Sequence, residues 1–152
     1  MQSVLRPGTS GLLIAPTTAG LDAYRCVGRA GLSAAWAAHL GAPLPWLWRL
    51  VEALPQTRGG IRAEAAEAIL REPLPDGPVE RSVAIGTDGE VRYGLRVPLE
   101  LAIFRFHFPV APVVPGVEQV RWAVAFSRRH FAFPAQFAGL DMLRFRRVMQ
   151  PG

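Results

Sequence analysis

The stretch VAIGTDGEVRYGLRV, residues 83–97, decides the predicted fold. Apolar side chains alternate with polar or small ones along both of its arms, and turn-forming residues lie between the arms. A period of two is typical of a half-buried β-strand, because successive side chains point to opposite faces of a sheet. The stretch therefore predicts an antiparallel β-hairpin.

The loop of this hairpin, GTDGE at residues 86–90, determines which residues face each other. A two-residue Asp-Gly turn would set Ile85 against Arg92. A three-residue loop with Gly89 at positive φ would instead set Ile85 against Val91. We prefer the three-residue loop, which pairs apolar side chains with one another.

Two further stretches on the C-terminal side alternate in the same way. Residues 102–108, AIFRFHF, predict a third strand in which Phe104 faces Leu95, and residues 120–126 predict a fourth strand. The tail at 140–149 fits neither the strand nor the helix pattern cleanly, so it is left open as a fifth strand or a helix. In this arrangement one face of the sheet buries three aromatic residues: Phe104, Phe106 and Trp122.

The chain before the hairpin has helical spacing instead. The threonines at 17–18 are suited to cap a helix over about 19–40, which Gly41 would stop. Shorter amphipathic helices are predicted over 45–54 and 60–72. The predicted fold class is α+β, with N-terminal helices packed on a C-terminal antiparallel sheet of about four to five strands. We expect a single domain over 1–152, with a helical part at about 17–72 and a sheet part at about 81–149.

Composition limits the class of protein. Half of the 152 residues are apolar and 19% are charged, which excludes intrinsic disorder for most of the chain. The single cysteine, Cys26, excludes an internal disulfide and a Cys-clustered zinc site. Arg25, Arg29 and His39 interrupt the apolar helix at 19–40, so no membrane contact is predicted. No secretory signal is visible at the start, so the default location is the cytoplasm.

The positive charge lies in the second half of the chain. All seventeen basic residues are Arg, and the net charge is +5. From Met1 to Glu80 seven Arg balance seven acids, whereas from Arg81 to Gly152 ten Arg stand against five acids. Such an asymmetry points to an anionic partner.

Two groups of residues are candidates for contacting that partner. The strand registers place one group on the face opposite the aromatic residues: Arg92, Arg96, Arg105, His107 and Arg121. Arginines on one face suit phosphate or carboxylate groups. They also suit the solvated face of an ordinary sheet, or internal pairing with Glu64, Glu67 or Glu118.

The second group lies towards the C-terminus, where RRHFAFPAQF at 128–137 interleaves basic and aromatic residues. Cations that hold a backbone and rings that stack on bases are typical of single-strand nucleic-acid binding. The cations are Arg128, Arg129, Arg144, Arg146 and Arg147, and the rings are Phe131, Phe133 and Phe137. The same rings would also suit the end of the core or a contact with another subunit.

Familiar catalytic motifs are missing: the sequence contains no G-x-x-x-x-G-K, G-x-S-x-G, H-E-x-x-H or G-x-G-x-x-G. The three histidines, His39, His107 and His130, fall in different predicted elements, so neither a metal nor a cofactor is predicted. No stretch of the sequence matches the motifs of a known family.

The preferred hypothesis is a non-catalytic subunit of a larger complex or homo-oligomer, whose Arg-rich C-terminal half contacts nucleic acid or an acidic protein surface. The alternative is a small-molecule enzyme or ligand-binding domain with a pocket between helices and sheet. In the alternative, His107 acts as acid or base and Arg92 or Arg105 orients an anionic substrate.

Overall fold

A computed structural model describes residues 2–4, 11–132, 136 and 139–152. It mixes helices and strands, which confirms the α+β class. The strands are β1 (Gln2–Val4), β2 (Gly11–Ala15), β3 (Leu47–Leu50), β4 (Gln56–Thr57), β5 (Gly60–Ile61), β6 (Val79–Ile85) and β7 (Val91–Arg96). The helices are α1 (Thr18–Leu40), α2 (Ala63–Arg71), the 3-10 helix Ala102–Arg105 and α3 (Gly116–Ser127).

The core of the first half is built on β2, whose apolar residues are buried on both faces. β2 pairs antiparallel with β1 and parallel with β3, and α1 makes the crossover. Leu12 and Ile14 pack with Tyr24 of α1, whereas Leu13 packs with Leu70 of α2. A continuous apolar run is typical of a strand that has a helix on each face.

The helix predicted over 45–54 is wrong, because Leu47–Leu50 form the strand β3. The spacing of the apolar residues there fits a helix equally well, but the segment pairs with β2 and therefore forms a strand. The predicted helix over 19–40 is confirmed as α1. The helix predicted over 60–72 is found as the shorter α2, because residues 60–61 form the strand β5. Thr17 caps α1 by accepting a hydrogen bond from the N–H of Gly20, and Gly41 ends the helix in the left-handed conformation.

A kink in α1 brings it against the second half of the chain. Gly28, inside the helix, has a φ of 61° and a ψ of −167°. A Cβ atom at this position would lie 2.2 Å from the carbonyl oxygen of Pro109. Only glycine accommodates both the positive φ and this close approach.

The predicted hairpin is confirmed, including its register. Ile85 pairs with Val91 and Val83 with Tyr93. Gly89 has a φ of 82°, and the N–H of Gly86 donates to the carbonyl of Glu90 at 2.8 Å, which closes the three-residue loop.

The predicted four- to five-stranded antiparallel sheet is wrong for the described residues, where one three-stranded and two two-stranded sheets are found. Residues 102–105 form the 3-10 helix, residues 116–127 form α3, and the tail from 139 onward is neither strand nor helix. Phe104 and Trp122 are buried in one cluster, but they come from these helices. Phe106 is 78% exposed, so the predicted shared aromatic face is also wrong.

A buried carboxylate joins the two halves of the chain. Glu100, between β7 and the 3-10 helix, forms ion pairs with Arg29 of α1 and Arg49 of β3, the latter at 3.2 Å. Its Oε2 also accepts the backbone N–H of Leu50 at 3.1 Å. Arg29 donates further to the carbonyl of Trp48 at 2.7 Å. Burial raises the pKa of Glu100, and Arg29, the Leu50 N–H and Arg49 offset part of that rise.

We predict that Glu100→Gln lowers the free energy of unfolding by about 3–5 kcal/mol, because it leaves Arg29 and Arg49 without their counter-charge. Urea denaturation measures the change. The matched control is Glu90→Gln, which breaks an exposed pair with Arg92 and should cost less than about 1 kcal/mol. Equal losses for the two variants would contradict the role of Glu100.

The loop of the hairpin gives a second prediction. Gly89→Val should lower the free energy of unfolding by about 1 kcal/mol or more, because a β-branched residue disfavours the positive φ that the loop requires. Thr87→Val in the same loop is the control. An unchanged denaturation midpoint for Gly89→Val would contradict this prediction, because it would show that valine at the positive φ does not lower the free energy of unfolding.

Tyr24 gives a prediction of pH dependence. Burial, and then the charge of Glu100, raise the pKa of its phenol above the unfolded value of about 10. The folded protein therefore holds the phenolic proton more tightly than the unfolded chain does. The contribution of the protonated phenol to the free energy of unfolding is complete below about pH 10, and it is lost as the pH rises further. Urea denaturation from pH 8 to 11 should show a steeper alkaline loss of stability in the wild type than in Tyr24→Phe. Parallel curves of stability against pH for the two proteins would contradict this prediction.

Candidate functional site

His107 lies in the wall of a cavity of about 390 Å³. The loop after the 3-10 helix, the start of α3 and the C-terminal tail line this cavity, which is open to solvent. Its lining residues are His107, Phe108, Val113, Val114, Pro115, Gly116, Gln119, Phe145, Arg146, Arg147 and Val148. An imidazole, an amide and two guanidinium groups thus share the cavity with a mostly apolar wall.

The loop that carries His107 is held at both of its ends. At the start, the backbone N–H of His107 donates to the carbonyl of Ile103 at 2.8 Å, which continues the turn of the 3-10 helix. Two residues later, Pro109 packs against the kink at Gly28. The side chain of His107 itself is exposed, so its ring is accessible to a ligand in the cavity.

The start of α3 lines the same cavity with Pro115 and Gly116. The N–H groups of Glu118 and Gln119 both donate to the carbonyl of Pro115. Those of Gly116 and Val117 have no acceptor within the helix, as is usual for a first turn. Together with the helix dipole they favour negative charge at this end.

Two side chains shape this helix start. A Cβ atom on Gly116 would lie 2.5 Å from a ring carbon of Phe145, so glycine lets the ring rest on the first turn of α3. Gln119 donates its amide N–H to the carbonyl of Val114 at 3.0 Å. This hydrogen bond leaves the amide oxygen of Gln119 able to accept another.

The predicted cluster of cations on one sheet face does not form, because two of its four strands are helices. Arg92 pairs with Glu90 at 2.7 Å within its own hairpin, and Arg96 pairs with Glu52. Arg121 pairs with Glu118 at 2.7 Å, which is one of the internal pairings that the sequence allowed.

Arg105 and His107 belong to different cavities. Arg105 lines a cleft between α1 and the 3-10 helix, away from the cavity that holds His107.

The C-terminal candidates are also separated. Arg146 and Arg147 line the cavity of His107, whereas Arg128 and Arg144 are exposed elsewhere. Arg129 pairs with Glu80 at 2.7 Å.

Of the three predicted stacking rings, Phe131 is 48% exposed at the edge of another cavity, which Tyr93, Trp122, Phe126 and His130 also line. Phe133 and Phe137 lie outside the described residues.

Sequence reasoning missed Gly116, Gln119 and Phe145. A usable signal for the first two was the run Pro115-Gly116-Val117-Glu118, because proline near a helix start and an acid in the first turn are typical of a helix N-terminus. The tail gave no comparable signal for Phe145.

Within the part of the chain that the structure describes, no three His, Cys, Asp or Glu side chains lie close enough together to hold a metal ion. Among the described helices, none has the length and apolar character needed to cross a membrane.

Comparison with known proteins relates the second half of the chain to dehydratases. The ApeI-like family, described as ApeI dehydratase, matches residues 84–152, which is less than half of the chain. This range contains the whole cavity of His107. No solved structure matches the chain.

Curated relatives agree with the family match. The 3-hydroxyacyl-(acyl-carrier-protein) dehydratase FabZ of Shewanella loihica is 37% identical over 78 residues, covering 43% of this chain and 50% of the relative. The protein of the same name from Albidiferax ferrireducens is 34% identical over 85 residues, covering 49% and 56%. The chain thus spans about half the length of the curated relatives it matches.

These similarities correct the preferred functional hypothesis. They point to a small-molecule enzyme, so the prediction of a non-catalytic subunit that binds nucleic acid or an acidic partner is wrong. The alternative, an enzyme with a pocket near His107, agrees with them better. The charge asymmetry misled the prediction. Part of the C-terminal positive charge is offset within the fold, because Arg121 pairs with Glu118 and Arg129 pairs with Glu80.

Proposed function

We propose that this chain takes part in dehydrating a 3-hydroxyacyl thioester, with His107 as its acid–base group. One observation carries the proposal: an accessible imidazole and the first turn of a helix line the same cavity, within the segment that resembles dehydratases. The chemistry of dehydration needs both features.

The first step is removal of a proton from C2 of the acyl chain. In the proposal the neutral imidazole of His107 accepts this proton, and the electron pair moves towards the thioester carbonyl oxygen. The N–H group of Gly116 in the cavity wall suits the negative charge that develops there, because this donor and the helix dipole are already oriented.

The second step expels water. The electron pair returns to form the C2–C3 double bond as the C3–O bond breaks. The imidazolium of His107 gives its proton to the departing hydroxyl group, which leaves as water. His107 ends neutral, so one residue serves as base and then as acid and no external proton donor is needed.

The apolar part of the cavity accounts for the acyl group. Phe108, Val113, Phe145 and Val148 provide a wall without charge on which a hydrocarbon chain loses contact with water. The oxygen of Gln119 offers an acceptor for the 3-hydroxyl group. Such a division between an apolar wall and a few polar groups is usual for small-molecule sites.

Self-association and a cytoplasmic location stay predictions. In support of self-association, every residue of β6 is exposed, including Val79, Val83 and Ile85. Apolar side chains on an exposed strand favour contact with another subunit.

We predict that His107→Gln lowers the rate of enoyl thioester formation by about 10²–10⁴-fold. The assay supplies a short 3-hydroxyacyl thioester and follows the ultraviolet absorbance of the conjugated product. His39→Gln, at an exposed histidine near the end of α1, is the matched control and should keep the wild-type rate.

Two results would contradict the proposal. The first is an inactive wild type that is folded by circular dichroism. The second is a His107→Gln variant with more than a tenth of the wild-type rate, which would show that another group transfers the proton.

A further inference from the structure

A second cleft, of about 470 Å³, opens between α1 and the 3-10 helix. Arg29 and Ser33 of α1 line one side, and Phe104, Arg105 and Pro109 line the other. Trp46, which precedes β3, lies at its edge and is 83% exposed. This cleft shares no lining residue with the cavity of His107.

Positive charge is in excess beside the cleft. Arg29, Arg49 and Arg105 all act on the single carboxylate of Glu100, which can neutralise only one of them. Hydrogen bonds hold Arg29 to the Trp48 carbonyl at 2.7 Å and Arg49 to the Glu72 carbonyl at 2.6 Å. Arg29 is thus held by Glu100 and the Trp48 carbonyl, whereas the positive charge of Arg105 in the cleft wall has no carboxylate partner among the described residues.

Arg105 is the cation that remains available to a ligand. It is exposed in the wall of the cleft, and it forms no ion pair among the residues that the structure describes. Its guanidinium group can donate to two oxygen atoms of one anion at once. The hydroxyl group of Ser33 adds a third donor on the opposite wall.

We propose that this cleft binds a phosphate monoester, with the phosphate at Arg105 and Ser33 and the attached organic group on the ring of Trp46. A phosphate monoester has three terminal oxygen atoms, which can accept from two N–H groups of Arg105 and from the Ser33 hydroxyl at once, whereas a carboxylate has only two oxygen atoms. An indole ring that is largely exposed beside a charged cleft offers a planar apolar surface to the rest of the ligand.

The cleft adjoins the candidate active site along the chain. Arg105 precedes His107 by two residues, and Pro109 follows it by two. A ligand in the cleft would contact both ends of the loop that carries the imidazole. The binding proposal does not depend on the dehydratase proposal, because it concerns a different set of side chains and a measurement of affinity.

The experiment titrates the full chain with phenyl phosphate in a calorimeter at low salt. We expect saturable binding to the wild type and at least a tenfold loss of affinity in Arg105→Gln. The matched control, Arg92→Gln, removes the same charge from an exposed arginine outside the cleft and should change the affinity less than twofold. Trp46→Ala should weaken phenyl phosphate more than inorganic phosphate.

Further measurements distinguish a failure of this proposal from a failure of the dehydratase proposal and from a loss of folding. Phenylacetate, an anion with one charge, should bind more weakly than phenyl phosphate. His107→Gln should bind phenyl phosphate as the wild type does, even if it dehydrates no thioester. An unchanged unfolding midpoint for Arg105→Gln would show that its loss of affinity is not a loss of folding.

The proposal is overturned if the wild type shows no saturable binding of phenyl phosphate at millimolar concentration. It is also overturned if Arg92→Gln weakens binding as much as Arg105→Gln, because the attraction would then come from net charge alone. Equal affinity for phenylacetate and phenyl phosphate would overturn the choice of a phosphate ligand.

Discussion

The buried side chain of Glu100, with its ion pairs to Arg29 and Arg49, is the constraint on which the rest of the molecule depends. It is buried, and a buried charge is tolerated only when its partners are in place. Two of those partners, Arg29 and Arg49, come from the β2–α1–β3 unit, while Glu100 itself lies on the path from β7 to the 3-10 helix. One carboxylate thereby fixes the half of the chain that resembles dehydratases onto the half outside that match.

Both proposed sites follow from this attachment. Arg29 binds Glu100 on one side and forms a wall of the anion cleft on the other. Its guanidinium carbon lies 3.5 Å from the centre of the Trp48 ring, which further limits how it can move. The loop with His107 begins a few residues after Glu100, so the position of the imidazole depends on the same contact. A single arrangement of charges thus orients two sites that share no side chain.

Sequence reasoning succeeded where the signal was local. The capped helix α1, the helix α2 and the register of the β6–β7 hairpin depend on neighbouring residues, and all three were predicted. It failed for β3, whose partner β2 lies more than thirty residues away. It failed again at α3, where the alternation of small and large residues fits the period of a strand as well as that of a helix. The site followed the same division: His107 was identified as an acid–base candidate, but the arginine cluster required strands that the chain does not form.

The absence of a side chain at Gly28 has a consequence for how this sequence can change. Because the carbonyl of Pro109 occupies the space that a Cβ atom would need, the two positions behave as one unit under mutation. A larger residue at 28 would push the His107 loop outward or straighten α1 away from it. If the first half of the chain were exchanged for another helical segment, the loop would keep its position only under one condition. The new helix would also need a kink at a glycine that faces Pro109.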